Sequence, residues 1–233
     1  MGELTGRVAV VTGASRGIGR AIALSFARAG AAVAGCARGG RPDSFLDELA
    51  GEDQRRCLHR ACDVRSRDDV LRFRDTVEST LGPADIVVNN AGTVVRAAAL
   101  DLALEAWNDV LAANLTSAFL VTQAFLAKMQ VRGGGRIINL ASISGRLGTA
   151  MLSAYCAAKH GVVGLTRALA EELRGDGIAV NAICPGSVDT EMLAQGVPGA
   201  QPDMSPAEVA RVALFLAAQA PLALTGACID VFG

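Results

Sequence analysis

Short runs of consecutive apolar residues alternate along this chain with longer stretches whose apolar positions recur every three or four residues. Consecutive runs suit strands buried on both faces, and the wider spacing suits helices with one buried stripe. The first run, "RVAVVTG" at 7–13, ends in a glycine turn; Gly17 to Ala29 follows with helical spacing, closed by Gly30. Further strands are expected at 31–37, 56–64, 84–92, 136–142, 178–186 and 227–232. Helices are expected at 43–49 behind Pro42, from Ser66 to about Thr80, at about 101–111 and 112–131, over 153–174, and from Pro206 to about Gln219. Residues 187–204, with Gly196, Pro198, Gly199 and Pro202, read as an irregular loop. Strands alternating with helices imply a parallel sheet covered on both faces, a doubly wound α/β fold. With no linker, repeat or low-complexity tract, one domain over 1–233 is the simplest account.

Composition narrows the function classes. Apolar residues make up 51%, charged residues 19%, and the net charge is -1. Without a basic excess or a Lys/Arg run, neither nucleic acid nor an anionic membrane is an expected partner. The N-terminus runs straight into a strand without a secretory pattern, and no apolar run has the length of a bilayer span, so a cytoplasmic protein is expected. The six cysteines are expected as buried free thiols. Cys57, His59 and Cys62 tempt one toward a metal, but strand alternation puts 57 and 59 on one face and 62 on the other, so no metal site is expected.

The turn "TGASRGIG" carries Gly13, Gly17 and Gly19 between a strand and a helix. Such glycines let a backbone approach a pyrophosphate, which the helix N-terminus then attracts. A tight structural turn meets the same spacing. At the tip of the second strand an acid would bind the ribose 2′-hydroxyl of NAD, and arginine would suit the 2′-phosphate of NADP. Cys36, Ala37 and Arg38 include no acid, and Arg16 and Arg41 are further cations within reach. Unless these arginines are simply solvated, NADP(H) is favoured over NAD(H).

"SAYCAAKHG" holds the sole tyrosine, Tyr155, and one of only two lysines among 22 basic residues. Tyr155 and Lys159 are four apart and share a helix face. A phenol is a weak acid-base group at neutral pH, and a nearby ammonium stabilises its anion. Lys128 shows that the chain also writes lysine without this need, and the bare spacing arises by chance. Ser142, in "INLASISG", falls just past the fifth strand, where an open parallel sheet forms its ligand crevice and a hydroxyl could orient a carbonyl.

Taken together, "TGASRGIG", Asp63, "NNAG" at 89–92, Asn114, Ser142, "YCAAK" and Pro185-Gly186 resemble the short-chain dehydrogenase/reductase family over essentially the whole chain. The resemblance implies a single Rossmann-type domain with a seven-stranded parallel sheet flanked by helices. It implies a ketone/alcohol oxidoreductase in which Ser142 binds the carbonyl, Tyr155 transfers a proton, Lys159 lowers the tyrosine pKa and holds the ribose, and Asn114 supports a water relay. It implies cofactor contacts from Gly13, Ser15, Arg16, Gly17, Ile18, Gly19, Arg38, Asp63, Val64, Asn90, Ala91, Gly92, Tyr155, Lys159, Pro185, Gly186, Val188 and Thr190, with Asn89 also in the groove. It further implies a homo-oligomer, tetramer or dimer, joined through the helices at 153–174 and 112–131.

Among members, the chain is most similar to 3-oxoacyl-carrier-protein reductases, which implies a 3-oxoacyl thioester substrate and acyl carrier protein as partner. Arg132 lies near one docking position, while a second reads as the acidic "AEEL". "NNAGTVVRAAAL" is similar to relatives acting on sugar acids, with Arg96 facing a carboxylate or merely on a surface loop. The substrate loop at about 191–205 is short, which suits an open pocket. A non-catalytic NADP(H)-binding regulator remains a remote alternative.

Overall fold

The consecutive valines and isoleucines of the apolar runs form strands because a parallel sheet covered on both faces buries every side chain along them. In the computed structural model, which describes residues 2–39 and 45–233, these strands are β1 (Val8–Thr12), β2 (Ala32–Ala37), β3 (Leu58–Ala61), β4 (Ile86–Asn89), β5 (Gly135–Leu140), β6 (Ile178–Pro185) and β7 (Cys228–Val231). They build one seven-stranded sheet in the order β3-β2-β1-β4-β5-β6-β7, with every pairing parallel. The order reverses between β1 and β4, so a crevice opens at their carboxyl ends.

The helices are α1 (Gly17–Arg28), α2 (Gly51–Arg55), α3 (Arg67–Thr80), α4 (Leu104–Leu111), α5 (Ser117–Arg132), α6 (Ser153–Glu172), α7 (Glu191–Gly196) and α8 (Pro206–Ala218). One core layer packs Ile22 and Phe26 of α1 and Val209 and Leu216 of α8 against Val11, Val88 and Ile183. The other packs Phe73, Phe125, Met129 and Leu169 of α3, α5 and α6 against Val10, Val87 and Val180. Neighbouring strand residues thus enter opposite layers. The same alternation separates Cys57 and His59, on the α1 side, from Cys62, on the other.

Local chemistry sets the helix ends. Ser66 caps α3 by accepting from Asp69 N, and Ser205 with Glu208 forms a reciprocal cap at α8 behind Pro206. Several expected boundaries move. The helix at 43–49 is a single 3-10 turn, Phe45–Glu48, within the described residues, while Arg41 and the start of that helix lie outside them. α2 was not anticipated, and β3 is shorter than 56–64. The stretch at 187–204 is not wholly irregular, because Thr190 Oγ1 accepts from Leu193 N and starts α7.

The two helices expected at 101–111 and 112–131 join into one, Leu104–Arg132, through a π-helical turn at Ala112–Thr116. That helix reaches a mean hydropathy of 1.6 over 18 residues, so by length and composition it matches a membrane span, contrary to the sequence expectation. Its apolarity serves the core: Val121, Phe125 and Met129 lie in the layer beneath the sheet.

Candidate active site

The glycine turn after β1 is shaped by close backbone packing. Gly13 and Gly17 take φ of 67° and 55°, a region that side chains disfavour. A Cβ on Gly19 would lie 2.3 Å from both Asn90 Nδ2 and Gly13 O. Thr12 Oγ1 accepts from Asn90 N and Ala91 N, each at 3.0 Å, and Asn90 Nδ2 donates to Thr12 O at 2.9 Å. The N-terminus of α1 carries no side-chain cap, which leaves its N–H groups directed at the cleft.

A cleft of about 1100 Å³ runs from this turn across the carboxyl edge of the sheet. Gly13, Ser15, Arg16, Gly17 and Ile18 line it on one side, with Arg38, Asp63 and Val64 beyond them. Asn90, Ala91 and Gly92 form its floor, and Tyr155, Lys159, Pro185 and Thr190 close the far end. Gly19, Ser142, Asn114, Gly186 and Val188 stand outside its lining. Gly19 is where helix and turn touch, Gly186 N donates to Val231 O at 2.9 Å, and buried Val188 bridges to Met204. Asn89 does not line the groove either. Its Nδ2 donates to Thr122 Oγ1 at 2.9 Å and Asn139 Oδ1 at 2.8 Å, and Asn139 Nδ2 reaches Thr166 Oγ1 at 2.9 Å. This buried ladder ties α5 to α6 through β4 and β5.

Tyr155 and Lys159 come from α6, and Ser142 from the end of β5. Lys159 is 4% exposed; its Nζ donates to Leu140 O at 2.7 Å and lies 5.5 Å from the Tyr155 ring centroid. Burial pulls the ammonium down to about 8. Burial pushes the half-buried Tyr155 phenol up to about 12, with the neighbouring Ser142 hydroxyl acting in the opposite direction. Lys159 is not among the groups that shift the phenol here; its ammonium donates to the Leu140 carbonyl, and burial dominates.

Asn114 sits in the π-helical turn, where Nδ2 donates to Thr93 O at 2.7 Å and Val110 O at 2.9 Å. Its Oδ1 is buried without a protein partner among the described residues, facing Gly92, where a Cβ would lie 2.4 Å away. Asp63 accepts a forked pair from Arg65, which holds its carboxyl below the usual range. Arg16 pairs with Glu191 across the cleft mouth, and Arg38 is exposed at the rim.

Sequence reasoning missed Thr12, Met192 and Glu191. Thr12 was visible as the first letter of "TGASRGIG". The other two reach the site from a segment read as loop: Tyr155 O–H points at Met192 Sδ, 3.8 Å away. Among the described residues no three His, Cys, Asp or Glu side chains gather as a metal site.

The residues fit a nicotinamide dinucleotide. The uncapped helix N-terminus and glycine turn suit the pyrophosphate, and the long cleft suits the extended molecule. The short chain dehydrogenase family profile matches residues 7–200. The 3-oxoacyl-acyl-carrier-protein reductase of Vibrio harveyi is 35% identical, over 99% of this chain and 98% of that protein. The D-threitol dehydrogenase of Mycolicibacterium smegmatis is 38% identical, over 99% and 93%. A crystal structure of a candidate NAD(P)-dependent gluconate 5-dehydrogenase from Beutenbergia cavernae, with NADP at low occupancy, superposes with a TM-score of 0.86 at 35% identity, over 97% and 95%. With a cleft, a glycine turn and a Ser-Tyr-Lys cluster on this sheet, the chain belongs to the short chain dehydrogenases and is an oxidoreductase acting on the CH–OH/C=O pair.

Proposed function

We propose that the protein uses NADP(H) to interconvert a ketone and a secondary alcohol, and that its ketone belongs to a 3-oxoacyl thioester. The bound cofactor supplies or accepts the hydride. Tyr155 gives the carbonyl oxygen its proton. With a phenol at about 12 and an ammonium at about 8, both groups carry their protons at neutral pH, the state that reduction requires of its acid. Ser142 orients the carbonyl oxygen beside the phenol. Lys159 keeps positive charge behind the phenol and holds the ribose, and Asn114 Oδ1 accepts from a relay water. Arg38 at the tip of β2 takes the 2′-phosphate, and Arg16 stays paired with Glu191 at the cleft mouth.

The observation that carries the substrate reading is the thioether that faces the triad. Met192 faces Tyr155, and Val94 and Leu152 pack at Gly196. Arg96, the one cation that suited a sugar acid, donates instead to Gly196 O at 3.2 Å and Ala150 O at 3.4 Å. Arg132 donates to Pro83 O and Ala84 O and pairs with Asp85, so a carrier protein gains no free guanidinium there. The free thioester is accordingly the substrate form to test first.

The test is oxidation of NADPH and NADH by the purified protein with a 3-oxoacyl thioester, a keto sugar acid and simple ketones. Turnover of the thioester with NADPH supports the reading, and turnover of the sugar acid alone overturns it. Arg38→Asp is expected to weaken NADPH binding by about 100-fold and NADH binding by less than about threefold, read by nicotinamide fluorescence. Equal losses would remove the cofactor assignment.

A further inference from the structure

The six-residue helix α7 is pinned at both ends. Glu191 at its start pairs with Arg16 of the glycine turn, and Gly196 O at its end accepts from Arg96. The end is also tightly packed, since a Cβ on Gly196 would touch Val94 Cγ2 at 3.3 Å and Leu152 Cδ1 at 3.9 Å. Between these clamps the helix presents half-buried Met192 to the active site, with Sδ 3.8 Å from Tyr155 Oη.

We propose that Met192 determines specificity, by backing the unbranched apolar substituent beside the substrate carbonyl and so setting its preferred length. The inference rests on the reading that Tyr155 protonates the carbonyl oxygen. A carbonyl within hydrogen-bond distance of the phenol brings one of its two diverging carbon substituents against Met192. A polar substituent there would face a thioether and lose hydrogen bonds to water. An unbranched apolar one gains contact: a short chain ends against the thioether and depends on it most, while a longer one reaches past Met192 and depends on it less.

The experiment compares the wild type, Met192→Ala and Met192→Leu on two homologous pairs: 3-oxobutanoyl and 3-oxooctanoyl N-acetylcysteamine thioesters, and butan-2-one and octan-2-one. Met192→Ala is expected to raise KM for the shorter member about tenfold, with kcat and KM for the longer member changed less than about threefold. Met192→Leu is expected to restore the wild-type ratio, and NADPH affinity is expected to hold in all three proteins. An unchanged length ratio in Met192→Ala overturns the proposal, as does wild-type turnover of sugar acids with neither pair accepted. Reduction of the ketones but not the thioesters would overturn the thioester reading alone, and the ketone pair then decides Met192.

Discussion

The two ends of the cleft are built on different principles. At the glycine turn the backbone does the binding: Thr12, Asn90 and three glycines hold main-chain groups in place, and the thiol buried beside them, Cys36, has its pKa raised and stays neutral near pH 7. At the far end side chains do the chemistry: a lysine 4% exposed and a phenol at about 12 stand within one helical turn. The first end is therefore sensitive to volume and, near neutral pH, indifferent to proton concentration, whereas the second also responds to proton concentration. Substitutions at each end separate binding from chemistry.

The largest separation comes from Tyr155→Phe. It removes one oxygen from the chemical end and leaves the turn alone. Turnover is expected to fall about 1000-fold, the range of a lost general acid, with NADPH affinity within about twofold of wild type. A variant that keeps a tenth of its turnover would break the assignment of the phenol as the proton donor.

Gly19→Ala probes the opposite end. Its Cβ has no room at 2.3 Å from Asn90 Nδ2 and Gly13 O, and those atoms belong to a turn held by its own hydrogen bonds. Overpacking of this kind costs about 1–3 kcal/mol. Urea denaturation should show that loss, and NADPH titration about a tenfold weaker affinity. At saturating cofactor kcat should hold; a fall in kcat with unchanged affinity would mean that the turn reaches into the chemistry.

The same contrast explains what could be read from the sequence. The strands were legible because Val and Ile runs are buried on both faces, and Tyr155 with Lys159 was legible because helix spacing is local. Asn89 was misplaced by its motif. Adjacent strand residues point to opposite faces, so Asn90 reaches the glycine turn while Asn89 enters the ladder with Asn139. The π-helical turn at Ala112–Thr116 leaves no mark in apolar periodicity, although it is what directs Asn114 at Thr93 O. α7 was hidden because Gly196 and Pro198 look like loop composition, and Met192 meets Tyr155 across 37 positions of chain. How far burial raises the Tyr155 pKa was not legible, because sequence shows the lysine but not the depth at which both groups sit.

Lys159 sharpens the comparison most finely, through pH rather than loss of function. Its pKa is about 8 folded against 10.5 for an unperturbed lysine, with burial the cause and the Cys184 thiol acting weakly the other way. Between those values the unfolded chain binds more protons than the folded one, so this group makes stability rise with pH, by up to about 1.4 kcal/mol per unit. Below pH 8 the lysine is charged in both states, and the full cost of burying that charge is present. Lys159→Met fills a similar volume and carries no charge. It is expected to be inactive, more stable than wild type at pH 7 by about 1–3 kcal/mol, and to lose that advantage between pH 8 and 10. Taking the difference between the two proteins cancels Cys36 and Cys57, whose raised values lower stability at high pH in both. The same difference for Gly19→Ala should stay level across the range, since only volume changes there. A level difference for Lys159→Met would mean that water reaches the ammonium and that the far end of the cleft is not the dry site its geometry describes.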